Sequence, residues 1–117
     1  MASRTASPLT HPDVEDFDLI RIMSALTDPI RLGIVLTLSS RPGLACSGFY
    51  RDVTPSVLTR HFRVLREAGV IRQHDEGNRR INTLRKEELN QRFPGLLAMV
   101  LTEGAQHAVP LPNLDSA

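Results

Sequence analysis

The stretch from Thr54 to Leu84, read with Val53 as VTPSVLTRHFRVLREAGVIRQHDEGNRRINTL, limits the possible folds of this chain more than any other part. Thr54 is a good N-cap residue, and Pro55 follows at the first helical position, where a missing N–H costs nothing. Leu58, Phe62 and Leu65 then recur at helical spacing. Gly69 and the apolar Val70 suit a Schellman stop, with glycine taking the left-handed position. Val70–Asp75 and Arg79–Leu84 read as strands joined by the turn Glu76-Gly77-Asn78. The order is helix, abrupt stop, hairpin.

The flanks extend the same pattern. Residues 1–12 are rich in Ser, Thr and Pro and are expected to form a flexible arm. A first helix should begin near Asp13 or Val14, with Leu19, Ile22, Met23 and Leu26 on one stripe and Phe17 and Ile20 widening it. Asp28-Pro29 repeats the cap-plus-proline start. The helix it opens carries Ile30, Leu32, Ile34, Val35, Leu36 and Leu38 nearly all round, which suits the buried centre of a domain. Ser39–Gly48, with Pro42-Gly43, reads as a loop, and Phe49–Val53 has room for a short helix only. Lys86–Arg92 should be a short helix, interrupted at Pro94-Gly95. Pro94 then serves as N1 of a last helix with Leu96, Leu97, Val100 and Leu101 on its apolar face. One domain over residues 13–103 is expected, followed by a disordered tail over 104–117. At 117 residues the chain has room for one modest core, which must be built from Leu, Ile and Val because there is no Trp.

The net charge of +1 conceals a strong asymmetry. Residues 1–30 hold two basic and five acidic side chains, a net of −3, whereas residues 58–86 hold eight basic and three acidic ones, a net of +5. A basic middle in a near-neutral chain is a footprint for a polyanion. No apolar run approaches the roughly 18 residues of a membrane span. The N-terminus lacks the apolar region of a signal peptide, and a single cysteine excludes an intrachain disulfide, so a reducing cytoplasm is the expected setting.

The arginines fall where a duplex would meet them. Opposite the Leu58, Phe62 and Leu65 stripe, the Pro55–Ala68 helix carries Ser56, Val57, Thr59, Arg60 and Arg63. Short hydroxyls, a small apolar group and guanidinium are the side chains that read base edges in the major groove. Ser56, Val57, Thr59 and Arg60 lie in the half that does most reading, and Arg63 suits bases or phosphate. Arg66, further along, suits a phosphate or the solvated helix end. Asn78, Arg79 and Arg80 at the hairpin tip would reach phosphates or the adjacent minor groove, while Asp75 and Glu76 would be repelled. The expected fold is mainly α with a small β-hairpin, a winged helix-turn-helix, with double-stranded DNA as its partner.

The segments ALTDPIRLGIVLTL and SVLTRHFRVLREAGVIRQHDEGNRRINTL resemble the ArsR/SmtB family of bacterial winged-helix repressors. The resemblance rests on Asp28-Pro29-x-Arg31-Leu32, Thr59-x-His61-Phe62, Leu65-Arg66-Glu67-Ala68-Gly69-Val70 and Glu76-Gly77-Asn78-Arg79, and it spans roughly residues 20–84. It implies a homodimer paired through the first and last helices, bound to an inverted-repeat operator and commonly repressing it. His61 stands where the family commonly has a histidine, in a structural or phosphate-facing role.

The metal-sensing equipment common in that family is missing. Cys46 stands alone where a Cys-x-Cys pair would be needed, and one thiolate cannot close a tetrahedral site. The segment 87–101 has no histidine. His11, Asp13 and Asp16, with His107 from a partner's tail, are the only oxygen/nitrogen set on offer, and chance placement in polar flanks explains them more simply. No cofactor is indicated by a motif; a metal ion stays open, without the usual ligand motifs to hold it. His74 should be exposed, and Cys46 should be a small loop or core residue. A Gly-rich phosphate loop and Gly-x-Ser-x-Gly are absent, and the adjacent acids Asp75-Glu76 and Glu87-Glu88 read as solvated turn and helix-start residues, which points away from an enzyme. The competing readings are a winged-helix module that binds a partner protein, and a DNA-binding regulator whose effector acts through such a partner.

Overall fold

The computed structural model describes residues 9–46, 49 and 53–109. A 3-10 turn over Val14–Asp16 leads into α1 (Leu19–Ala25) and α2 (Pro29–Ser40), then β1 (Leu44–Ala45) and α3 (Pro55–Ala68). The hairpin β2 (Ile71–Glu76) and β3 (Arg79–Leu84) is followed by α4 (Lys86–Arg92), α5 (Leu96–Gly104) and a 3-10 turn at Ala105–His107. The sheet has three antiparallel strands in the order β1-β3-β2. None of the described helices is long and apolar enough to cross a membrane. Helices packed around a helix-stop-hairpin unit make this an α+β winged helix-turn-helix.

The cap signals act as the sequence predicts. Asp28 accepts from the amides of Ile30 (2.8 Å) and Arg31 (3.1 Å) at the start of α2. Gly69 takes φ +97, and the bonds Val70 N–H to Leu65 O and Gly69 N–H to Arg66 O complete the Schellman stop. A β-carbon on Gly69 would lie 2.5 Å from the Phe17 ring, so the glycine is required by packing as well as by φ. Gly77 (φ +63) takes the first position of the hairpin turn and Asn78 keeps a negative φ, the II′ pattern. The core joins Ile22 of α1 and its C-cap Leu26, Ile34, Val35 and Leu38 of α2, and Leu58, Phe62 and Leu65 of α3. Phe49 meets Phe62 edge to face at 5.2 Å.

Four boundaries differ from the sequence expectation. The first α-helix begins at Leu19, not Asp13, because Phe17 leaves helical geometry to bury itself and Asp18 caps the helix by accepting from the Ile20 amide. Leu44-Ala45, within the expected loop, pairs with Asn82 and Ile81 of β3. α5 starts at Leu96 after Gly95 (φ +86), so Pro94 sits in the turn and not at N1. At the C-terminal side, ordered helix continues past residue 103, and the Val109 amide donates to Pro29 O.

The end of the expected arm is also engaged. His11 Nε2 accepts from the Gln73 amide on β2 (3.0 Å), and Pro12 O accepts from Arg85 (2.8 Å). The remaining expectations for the termini, and the short helix at Phe49–Val53 apart from its two end residues, lie outside the described residues.

Candidate nucleic-acid interface

α3 is divided cleanly by burial. Leu58, Phe62, Leu65 and Ala68 are buried, while Ser56, Val57, Thr59, Arg60 and Arg63 are all exposed on the other side. Thr54 caps the helix through the Val57 amide and lies 3.4 Å from the Ser56 hydroxyl. Thr59 Oγ donates to Pro55 O at 2.8 Å, so its hydroxyl proton is spent on the helix and the oxygen is left to act as an acceptor. At the wing, Asn78 and Arg79 are exposed. Arg80 is half-buried and forks onto Asp75, its register partner across the turn, at 3.0 and 3.4 Å. Glu76 is engaged by His74 at 2.9 Å.

The basic footprint is narrower than the sequence count suggests. Arg72 and Arg85 both bind Glu88, and the Arg85 side chain is buried over the Phe17 ring. Hydrogen bonds from Arg85 hold the Glu88 carboxyl down at about 2. Arg66 does not face outward as expected. Its Nη1 donates to Gln73 Oε1 at 2.8 Å, and burial lowers its basicity. Of the eight basic residues between 58 and 86, Arg60, Arg63, Arg79 and Lys86 remain as exposed positions outside these pairings.

Arg66 opens a buried polar chain that the sequence reading missed. Gln73 donates to Asn82 Oδ1 at 2.7 Å, and Asn82 donates to Leu44 O (3.0 Å) and to Cys46 Sγ (3.3 Å). Gln73 and Asn82 lie opposite one another in register, and the signal was available: both are equally far from the hairpin tip. The chain ties the C-terminal end of α3 to all three strands, which fixes the wing against the helix. Cys46 is half-buried within it, and burial pushes its thiol up, so it packs and accepts hydrogen bonds as a neutral group. His11, Asp13, Asp16 and His107 are not gathered: among the described residues no three His, Cys, Asp or Glu side chains are placed to hold a metal ion.

His61, in mid-helix, is half-buried. Its Nδ1 lies 3.1 Å from Arg31 Nη1, and burial lowers its affinity for a proton. What the surface offers chemically is an exposed helix face of hydroxyls, one small apolar group and guanidinium, together with a hairpin whose tip carries arginines. Residues 26–74 match the family model of a helix-turn-helix domain. No curated protein matches the chain.

Proposed function

We propose that this protein is a sequence-specific DNA-binding transcriptional regulator, acting as a homodimeric repressor on an inverted-repeat operator. The observation that carries the reading is the division of α3: a fully buried stripe seats the helix, and the opposite face presents Ser56, Val57, Thr59, Arg60 and Arg63. Ser56, Val57, Thr59 and Arg60 would read bases, while Arg63 would serve bases or backbone. The wing would brace the duplex through Asn78 and Arg79. Arg80 would act mainly by holding the tip with Asp75, since its guanidinium is already committed there.

A helix-turn-helix match over α2, β1 and α3 supports DNA as the partner. Dimerisation through the first and last helices is supported by apolar side chains left outside the core: Leu19, Ile20 and Met23 on α1 and Met99 on α5. Selection from a randomised duplex pool tests the function directly. The expected product is a two-fold symmetric motif with half-sites about one helical turn, ~10–10.5 bp, apart. Equal affinity for every duplex would exclude sequence-specific regulation.

A further inference from the structure

Arg31 lies in the first turn of α2 and reaches two other helices at once. Its Nε donates to Ala25 O at 2.7 Å and its Nη2 to Ser24 O at 3.4 Å, both at the C-terminal end of α1. Its Nη1 meets Nδ1 of His61, the residue after Arg60 on α3. One planar fork therefore joins the end of α1 to the middle of the helix that carries the exposed polar face. A guanidinium has only donors, so Nδ1 must be the acceptor and the imidazole proton must sit on Nε2. A protonated ring would present an N–H and a positive charge to the guanidinium in place of a lone pair.

We propose that Arg31 is a positioning residue for the reading helix, and that its bond to a neutral His61 makes the pose of Ser56–Arg63 depend on proton concentration. The proposal rests on the DNA-reading function given above. The charged groups facing His61 are Asp28 and Arg31 from α2 and Arg60 on its own helix, with the Ser24 and Ala25 carbonyls beyond Arg31. Burial first, with Arg31 and Arg60 reinforcing it and Asp28 opposing, holds the ring below its ordinary value of 6.5. The clamp is thus complete above that value and is lost as pH falls through the lowered folded one. Acid would separate Arg31 from His61 and unseat α3 while its hydrophobic stripe still holds the fold.

The test uses the full chain and the duplex it selects at about pH 7.5, above the range where histidine titrates. One pH unit below the His61 value, affinity should fall about tenfold, because the competent fraction falls by that factor. His61→Gln keeps an acceptor without the titration, so it should bind like the parent at the higher pH and lose this acid sensitivity. By NMR, His61 should be the Nε2–H tautomer with a titration below 6.5 that Arg31→Gln raises. The amide shifts of residues 56–63 should follow the same titration. Unchanged acid sensitivity in His61→Gln, or a ring titration indifferent to Arg31→Gln, would overturn the proposal. Were no duplex selected at all, the DNA reading would fail separately, and the ring and amide titrations would still decide the clamp.

Discussion

Arg60 and Arg79 are both exposed, but they stand in different surroundings. Arg60 lies exposed in the N-terminal half of α3 with Ser56 and Val57, and on the DNA-reading function proposed above its guanidinium would read guanine bidentately. Arg79 flanks a two-residue turn, and on the same reading it would meet backbone phosphate. Arg60→Ala should therefore cost about 1–3 kcal/mol on the selected duplex and relax base preference at one position. Arg79→Ala should weaken all duplexes alike and reduce the salt dependence by about one ion. Titrations of matched and mismatched duplexes at several salt concentrations separate the two, and a uniform loss for Arg60→Ala would remove it from base reading. At this scale the sequence was informative about location and uninformative about commitment. Arg66 looked like another outward arginine because its periodicity matches an exposed helix end. Its actual partner, Gln73, sits across a hairpin whose packing on α3 is a tertiary fact.

Helices with strong caps were legible, and elements defined by distant partners were not. Asp28-Pro29, Thr54-Pro55 and Gly69-Val70 carry their own geometry, so α2, α3 and the hairpin appear where local chemistry puts them. β1 is two residues long and exists only through β3, so nothing local announces it. The start of α1 moved because burial of Phe17 outweighs the acidic residues that would favour an earlier helix. α4 shows how an element end can hold more than itself. Glu88 bonds both the buried Arg85 and the exposed Arg72, linking α4 to β2. Glu88→Gln leaves Arg85 buried without its counter-charge. It should cost about 2–3 kcal/mol, short of a fully buried pair because Glu88 is partly exposed. Because the folded carboxyl sits at about 2, below its ordinary 4.5, its contribution is complete above 4.5 and drains away as pH falls toward 2. Urea unfolding of both forms between about pH 7 and 3 checks this: the gap should narrow with acid, and a constant gap would contradict it.

Several large apolar side chains among the described residues lie outside the core. Ile20 is 70% exposed, with Leu19 and Met23 on the same helix and Met99 on α5 also outside the core. On the homodimeric reading proposed above, the α1 group at Leu19, Ile20 and Met23 is where a second copy would pair. Ile20→Glu should shift the protein from dimer to monomer in sedimentation equilibrium while leaving its circular dichroism unchanged. It should also weaken binding to a symmetric operator far more than to an isolated half-site, and a mutant that stayed dimeric would place the pairing face elsewhere. A last consequence follows from the bond between His11 and the Gln73 amide. β2 is an edge strand of the sheet, and an outward-facing backbone amide on such a strand is a template for another chain's β-strand. The histidine plugs that amide while Pro12 O holds Arg85 beneath it. His11 and Pro12 thus cover this point of the β2 edge, and their removal would open it to a second strand. A chain trimmed to start at Asp13 should scatter light at concentrations where the full chain stays clear, through edge-to-edge pairing of wings.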